Sequence, residues 1–342
     1  MPYRVLIVDD SLLVRGAVGE ILSRIPDVQI CGKSPNGLDA ITQIQELKPD
    51  LVILDIEMPV MDGMTALREL RLRKIQVPIL MLSVLTQHGA RTTFEALELG
   101  ALDFIPKPSA QAGMKLQEVE DLLIGKVTEL MQTTGQAAFR AQSSPLSMEE
   151  KAQRKFELLV IGSSTGGPQA LHKIFQQFKN PFPAPILIVQ HMPPVFTAAF
   201  AERLGQISVV EAMEAREGMQ LRPNCALVAP GNRHLGITAQ NGQFTVTLSE
   251  EAPIQAHRPS IDFTLKSAVQ HFGGRAAGLI MTGMGRDGVA GMQQLHASGG
   301  LTFSQDEASS VIFGMNRRAI EAGAVDLVLD LAEIPEVLAK YF

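Results

Sequence analysis

Apolar positions follow two alternating rhythms through the first ~130 residues. Short runs at Tyr3–Val8, Val28–Cys31, Leu51–Leu54, Ile79–Leu82 and Asp103–Ile105 read as strands. Between them the spacing changes to helical. Val14, Ala17, Val18, Ile21, Leu22 and Ile25 recur at i, i+3, i+4 and i+7 and make one buried stripe. Further helices are predicted over Leu38–Leu47, which Pro49 helps to end, near Met64–Arg73 and Arg91–Leu99, and from about Met114 to Met131. Five βα units in a row predict an open α/β fold with a parallel sheet.

From Thr133 to Arg154 the pattern is lost in TTGQAAFRAQSSPLSMEEKAQR, which reads as a linker. A second alternating region follows. Strands are predicted at Glu157–Ile161, Pro185–Gln190, Ala226–Val228, Phe244–Leu248, Ala277–Met281 and Leu301–Phe303, with an antiparallel insertion around Gly236–Glu250. Helices are predicted from Pro168, and over Thr197–Leu204, Ser260–His271, Gly288–Ser298 and Arg317–Ala322. The expected division is 1–130, a linker over 131–155, and 156–342.

Composition narrows the class. Hydrophobic residues make up 46% and charged residues 19% of the 342, so each half can bury a core. A formal charge of -6 argues against a nucleic-acid partner. Two distant cysteines, Cys31 and Cys225, support no disulfide framework and read as small buried hydrophobes. Neither a signal-peptide pattern nor a bilayer-length apolar stretch stands out, so the expectation is a cytoplasmic protein without membrane insertion.

Chemistry collects at predicted strand ends. Asp9 and Asp10 follow the first strand and Asp55 the third, at the edge where open α/β sheets bind ligands. Carboxylates gathered there repel one another and call for a cation. Mg²⁺, a hard ion that takes oxygen ligands, fits. Ser83 and Lys107 follow the fourth and fifth strands on the same edge. Asp55 can then attack phosphorus, with Lys107 and Ser83 binding the phosphoryl oxygens. Taken alone, Asp10 is equally well placed to cap the first helix, and Lys107 could be a solvated charge.

VDDS, LDIEMPVMDG, Ser83 and Lys107-Pro108 together resemble a bacterial response-regulator receiver over residues 3–130. The resemblance implies the flavodoxin-like five-stranded order. It also implies Asp55 as phosphoacceptor, metal binding by Asp9, Asp10, Asp55 and the backbone of Glu57, and Ser83 with Phe104 as the switch pair. A sensor histidine kinase is the implied phosphodonor.

In the second half, Gly162-Ser163-Ser164-Thr165-Gly166 matches G-x-S-x-G between a strand and a helix. Such a turn exposes a serine hydroxyl beside helix N-terminal N–H groups. It could also cradle a phosphate, or be only a tight turn. His191 follows the next strand, and Asp287 lies in TGMGRDG after another. A histidine with a carboxylate partner is what a weakly nucleophilic hydroxyl needs. The order Ser, His, Asp departs from that of the α/β-hydrolases. His234 and His257 are alternative bases, and Asp262 and Asp306 alternative acids; His172 and His296 fall inside predicted helices and read as surface or packing residues.

GSSTGGPQAL, QHMPPVFTAAFAERL, APGNRHL, HRPSID, TGMGRDGVAGM and QDEASSVIFGMNRRAI resemble the catalytic domain of bacterial chemotaxis protein-glutamate methylesterases. Asn316 departs from the proline expected there. The resemblance implies a doubly wound, mainly parallel α/β hydrolytic domain with no cofactor. Ser164, His191 and Asp287 would form the triad, with the backbone of Thr165 or Met284 as oxyanion donors. The implied reactions are hydrolysis of glutamate methyl esters on chemoreceptors, releasing methanol, and deamidation of receptor glutamines. A nucleotide-binding output domain ranks lower, lacking G-x-G-x-x-G and a Walker lysine; a non-enzymatic adaptor is the third reading. The simplest reason for the fusion is that an unphosphorylated receiver blocks the hydrolase.

Overall fold

The uninterrupted apolar runs become the buried centres of two parallel sheets. The structure, a computed structural model, describes residues 2–84, 86–107, 116–132, 155–240 and 242–342. It divides into two compact units, Met1–Gly135 and Gln136–Phe342. The expected linker segment Thr133–Arg154 lies outside the described residues. Among those described, no helix is long and apolar enough to cross a membrane.

The first unit runs β1 (Tyr3–Val8), α1 (Leu12–Ser23), β2 (Val28–Ser34), α2 (Gly37–Leu47), β3 (Leu51–Asp55), α3 (Gly63–Leu72), β4 (Ile79–Ser83), α4 (Gln87–Glu98), β5 (Asp103–Pro106) and α5 (Leu116–Gln132). The strand order is β2-β1-β3-β4-β5, and every pairing is parallel. All residues of β3, β4 and β5 are buried, as expected of a sheet covered on both faces. Strand order reverses at β1, so the crevice beyond β1 and β3 is the expected ligand site. Ser11, not Asp10, caps α1: its hydroxyl accepts from the Val14 N–H. Asp10 is exposed and belongs to the acidic edge instead.

The second unit contains β6 (Leu158–Ser163), α6 (Gly167–Gln177), β7 (Ile186–Gln190), α7 (Pro194–Ile207), β8 (Glu211–Glu214), β9 (Cys225–Val228), β10 (His234–Gln240) and β11 (Gln243–Ser249). It continues with α8 (Ile261–Phe272), β12 (Ala276–Ile280), α9 (Val289–Ala297), β13 (Leu301–Gln305), α10 (Met315–Glu321), β14 (Leu327–Leu329) and α11 (Ile334–Tyr341). Seven strands form one parallel sheet in the order β14-β13-β12-β6-β7-β9-β8. β10 and β11 make the antiparallel insertion. The chain leaves β6 toward β7 and later returns on the other side at β12, so the switch point lies at β6. Both cysteines are free thiols, Cys225 buried and Cys31 half-buried.

Two differences from the sequence reading have local causes. α7 starts at Pro194 rather than Thr197, because proline's missing N–H costs nothing in the first turn. Asn316, in place of the expected proline, is fully buried; its side-chain amide donates to Gln305 O (3.1 Å) and Ser310 Oγ (2.8 Å), fastening α10 to the loop before it.

Candidate active site and acidic pocket

In the first unit, one oxygen from each of Asp9, Asp10 and Asp55 lies within 4.8 Å of the others. Asp9 and Asp55 are buried, and Lys107 reaches both, its Nζ standing 2.6 Å from Asp55 Oδ2 and 3.1 Å from Asp9 Oδ2. Burial drives the Asp55 carboxyl up to about 6, overriding the Lys107 cation, which pulls it down. Burial works against the Lys107 charge too, but the two carboxylates outweigh it and raise the ammonium. Oxygen donors with surplus negative charge suit a hard divalent cation. The Glu57 N–H faces Asp55 Oδ1 at 3.4 Å.

Ser83 lies on the same edge but is turned to other partners. Its hydroxyl is 2.7 Å from Thr93 Oγ1 and 3.3 Å from Gly89 O. Thr93 had no signal in the sequence beyond a polar residue in a helix. Phe104 is buried and packs edge-on against Phe94, with ring centroids 6.2 Å apart.

In the second unit, Ser164, His191 and Asp287 come from the turns after β6, β7 and β12, which are adjacent in the sheet. Ser164 is half-buried, and its N–H donates to Thr282 O at 3.0 Å. Gly166 takes φ +79° in the turn into α6. Gly283 lies against the serine: a Cβ there would fall 2.6 Å from Ser164 Cβ. Only glycine permits that approach of the Gly283 backbone to Ser164. Thr165 is buried, and its carbonyl accepts from Thr282 Oγ1 at 2.8 Å.

His191 Nε2 donates to Asp287 Oδ2 at 2.8 Å, while Nδ1 is buried without a partner among the described residues. Asp287 is fully buried at the N-terminus of α8. Its Oδ1 accepts from Ser260 Oγ (2.7 Å) and the Asp262 N–H (3.0 Å), and its Oδ2 from the Ile261 N–H (2.7 Å). Burial opposes the charge, but His191, Ser260 and Asp262 overcome it and hold the carboxyl down to about 2. Sequence reasoning missed Ser260, although a serine just before a helical run is a capping signal.

The alternative candidates have other work. His234 is fully buried; Nδ1 accepts from the Ser260 N–H and Nε2 donates to Ala252 O. His257 lies flat on His191, ring centroids 3.8 Å apart and planes within 4°. Asp262 accepts from the Gly291 N–H and from Gln255. Asp306 caps the turn at Ser309. His172 lies in α6, and His296 is buried in α9 beside Asp326.

Fold and sites together define a response-regulator receiver joined to an α/β hydrolytic unit. The comparisons agree. Residues 5–117 match the response regulator receiver domain and 159–338 the CheB methylesterase family. A protein-glutamate methylesterase/protein-glutamine glutaminase of Pyrococcus abyssi is 41% identical over 342 residues, spanning 98% of this chain and 93% of that protein. Its namesake from Thermotoga maritima is 39% identical over 338 residues, spanning 98% of each. The crystal structure of the Thermotoga maritima CheB methylesterase catalytic domain is similar with a TM-score of 0.54 and 40% identity, covering 55% of this chain and 100% of that one. The chain belongs to the CheB methylesterase family and is a carboxylic ester hydrolase.

Proposed function

We propose that the protein hydrolyses glutamate 5-O-methyl esters on chemoreceptors, releasing methanol, and deamidates selected receptor glutamines, under control of receiver phosphorylation. The observation that carries this reading is the state of His191: Nε2 committed to Asp287 and Nδ1 buried without a partner among the described residues, in a residue whose backbone N–H donates to Ser163 O, next to Ser164. Asp287, an acceptor only at neutral pH, keeps the proton on Nε2 and leaves the lone pair on Nδ1. Nδ1 takes the Ser164 proton as Oγ attacks the ester carbonyl. The backbone N–H groups of Thr165 and Met284 are the proposed oxyanion donors. His191 returns the proton to the leaving methoxide, and methanol departs. Water then attacks the acyl-serine by the same route in reverse. With glutamine the first leaving group is ammonia.

Asp55 is the proposed phosphoacceptor, with a sensor histidine kinase as donor. Asp9, Asp10, Asp55 and the backbone of Glu57 would hold Mg²⁺, which would neutralise charge on the phosphoryl oxygens. Lys107 neutralises the carboxylates between turnovers and binds a phosphoryl oxygen. Ser83 would leave Thr93 to bind another, and Phe104 would repack with it. The proposed bounds are receiver 1–130, linker 131–155 and catalytic domain 156–342, in a cytoplasmic protein.

A serine-directed phosphonofluoridate tests the chemistry: peptide mass mapping should find the label on Ser164 and lose it in His191→Ala. Label elsewhere, or none, contradicts the reading.

A further inference from the structure

β6 and β7 last pair at Ser163 and Gln190. Beyond that rung the His191 N–H still reaches Ser163 O at 3.2 Å, while the Ser164 N–H donates to Thr282 O, after β12 on the opposite side. One side chain also bridges the two turns. Gln190 is 2% exposed, and its amide nitrogen donates to Ser164 O at 2.9 Å and to His191 O at 3.2 Å. Its amide oxygen accepts from Ser163 Oγ at 2.6 Å. Two carbonyls can be met only by the NH₂ end, so the partners settle the amide's orientation. Both amide hydrogens and the oxygen are used.

The neighbouring turn is built around this group. A Cβ on Gly167 would lie 2.0 Å from Gln190 Oε1 and 2.7 Å from Ser163 Cβ. Gly167 is therefore required for space, and the last glycine of the GSSTGG turn gives the amide its seat. The Gly167 N–H donates to the same Ser164 carbonyl at 2.8 Å, and the His191 N–H reaches Ser163 O at 3.2 Å. Buried as it is, Gln190 contacts the backbone of Ser164 and His191 and the Ser163 hydroxyl.

We propose that Gln190 is a positioning residue whose one amide ties the backbone of Ser164 to that of His191 and holds nucleophile and base at their working separation. This rests on Ser164 and His191 being that pair. Loss of the tie should slow chemistry and leave substrate binding alone, because an error of ~1 Å between reacting groups can cost on the order of 10²-fold in rate.

The test uses the full chain, a methylated receptor as substrate and methanol release as readout, with wild type, Gln190→Met, Ser163→Ala and Ser164→Ala side by side and each checked by thermal melting. Gln190→Met keeps the volume and removes both donors; its kcat should fall roughly 10–100-fold, with KM within about threefold of wild type. Ser163→Ala frees only the amide oxygen and should lower kcat by about two- to tenfold, the worth of one hydrogen bond. A folded Gln190→Met protein with wild-type kcat, or one whose loss lies wholly in KM, overturns the assignment. If Gln190→Met does not fold, Ser163→Ala decides, and an unchanged kcat overturns it. Turnover surviving in Ser164→Ala would instead reject the triad, so the two failures are distinguishable.

Discussion

His191 Nε2 donates to Asp287 Oδ2 at 2.8 Å, and the same carboxylate receives three more donors, from Ser260, Ile261 and Asp262 at the start of α8. A helix N-terminus thus holds Asp287 as an anion, and in the proposed triad that anion fixes which nitrogen of His191 is free. Asp287→Asn keeps the shape but can offer an N–H to the ring and favour the wrong tautomer. Its kcat should fall by roughly 10²–10⁴-fold, less than for loss of the serine. Methanol release measures this; an Asn variant within about tenfold of wild type would remove the acid from the mechanism.

The ring stacked on His191 carries a pH signature. Burial, then the neighbouring His191, lower the His257 imidazole to about 4, with Asp287 pulling the other way. In the unfolded chain the same group takes a proton near pH ~6.5. Between these values the unfolded state binds more protons, so stability should fall as pH drops from ~6.5 to about 4 and gain no further slope from this group below that. His257→Phe keeps a flat ring and removes the titration. Denaturant melts across that range should show a shallower acid limb in the variant; identical slopes would contradict the assignment.

Phosphorylation should require Asp55 and a divalent cation. Acetyl phosphate with Mg²⁺ should label wild type, and neither Asp55→Asn nor wild type in chelator should take up phosphate. Unchanged labelling of Asp55→Asn, at a site other than Asp9 or Asp10, would reject the acidic pocket as the acceptor site.

If the receiver restrains the hydrolase until phosphorylated, a chain beginning near Lys155 should be active without phosphodonor and indifferent to it. A tenfold rise in the active population needs only ~1.4 kcal/mol, within reach of a few charge-assisted hydrogen bonds to a phosphoryl group. A folded but inactive truncated chain would make the receiver an activator or a receptor-docking module.

How far the sequence reveals these sites follows from the range of the interactions. β1 and the buried centres of β3, β4 and β7 show in the sequence because continuous apolar runs mark strands covered on both faces. β8, with the sequence Glu-Ala-Met-Glu, and the three-residue β14 do not, because short edge strands carry no such run. Asp9, Asp55, Ser164, His191 and Asp287 stand out because each follows a strand that the pattern reveals. Gln190 shows only as the end of an apolar run, and His257 only as an alternative base, with nothing to stack it on His191. Their contacts cross 26 and 66 positions of chain (Ser164 to Gln190 and His191 to His257), distances over which local pattern carries no information. The bond between Ser83 and Thr93 spans only ten positions, yet it depends on how α4 is seated on β4.

The most direct test of the central claim is methanol release from methylated chemoreceptors by Ser164→Ala, with melting to verify the fold. The account predicts loss of turnover on the order of 10⁶-fold, as seen when the nucleophile is removed from a well-studied serine hydrolase. A folded Ser164→Ala protein releasing methanol at near the wild-type rate would contradict it.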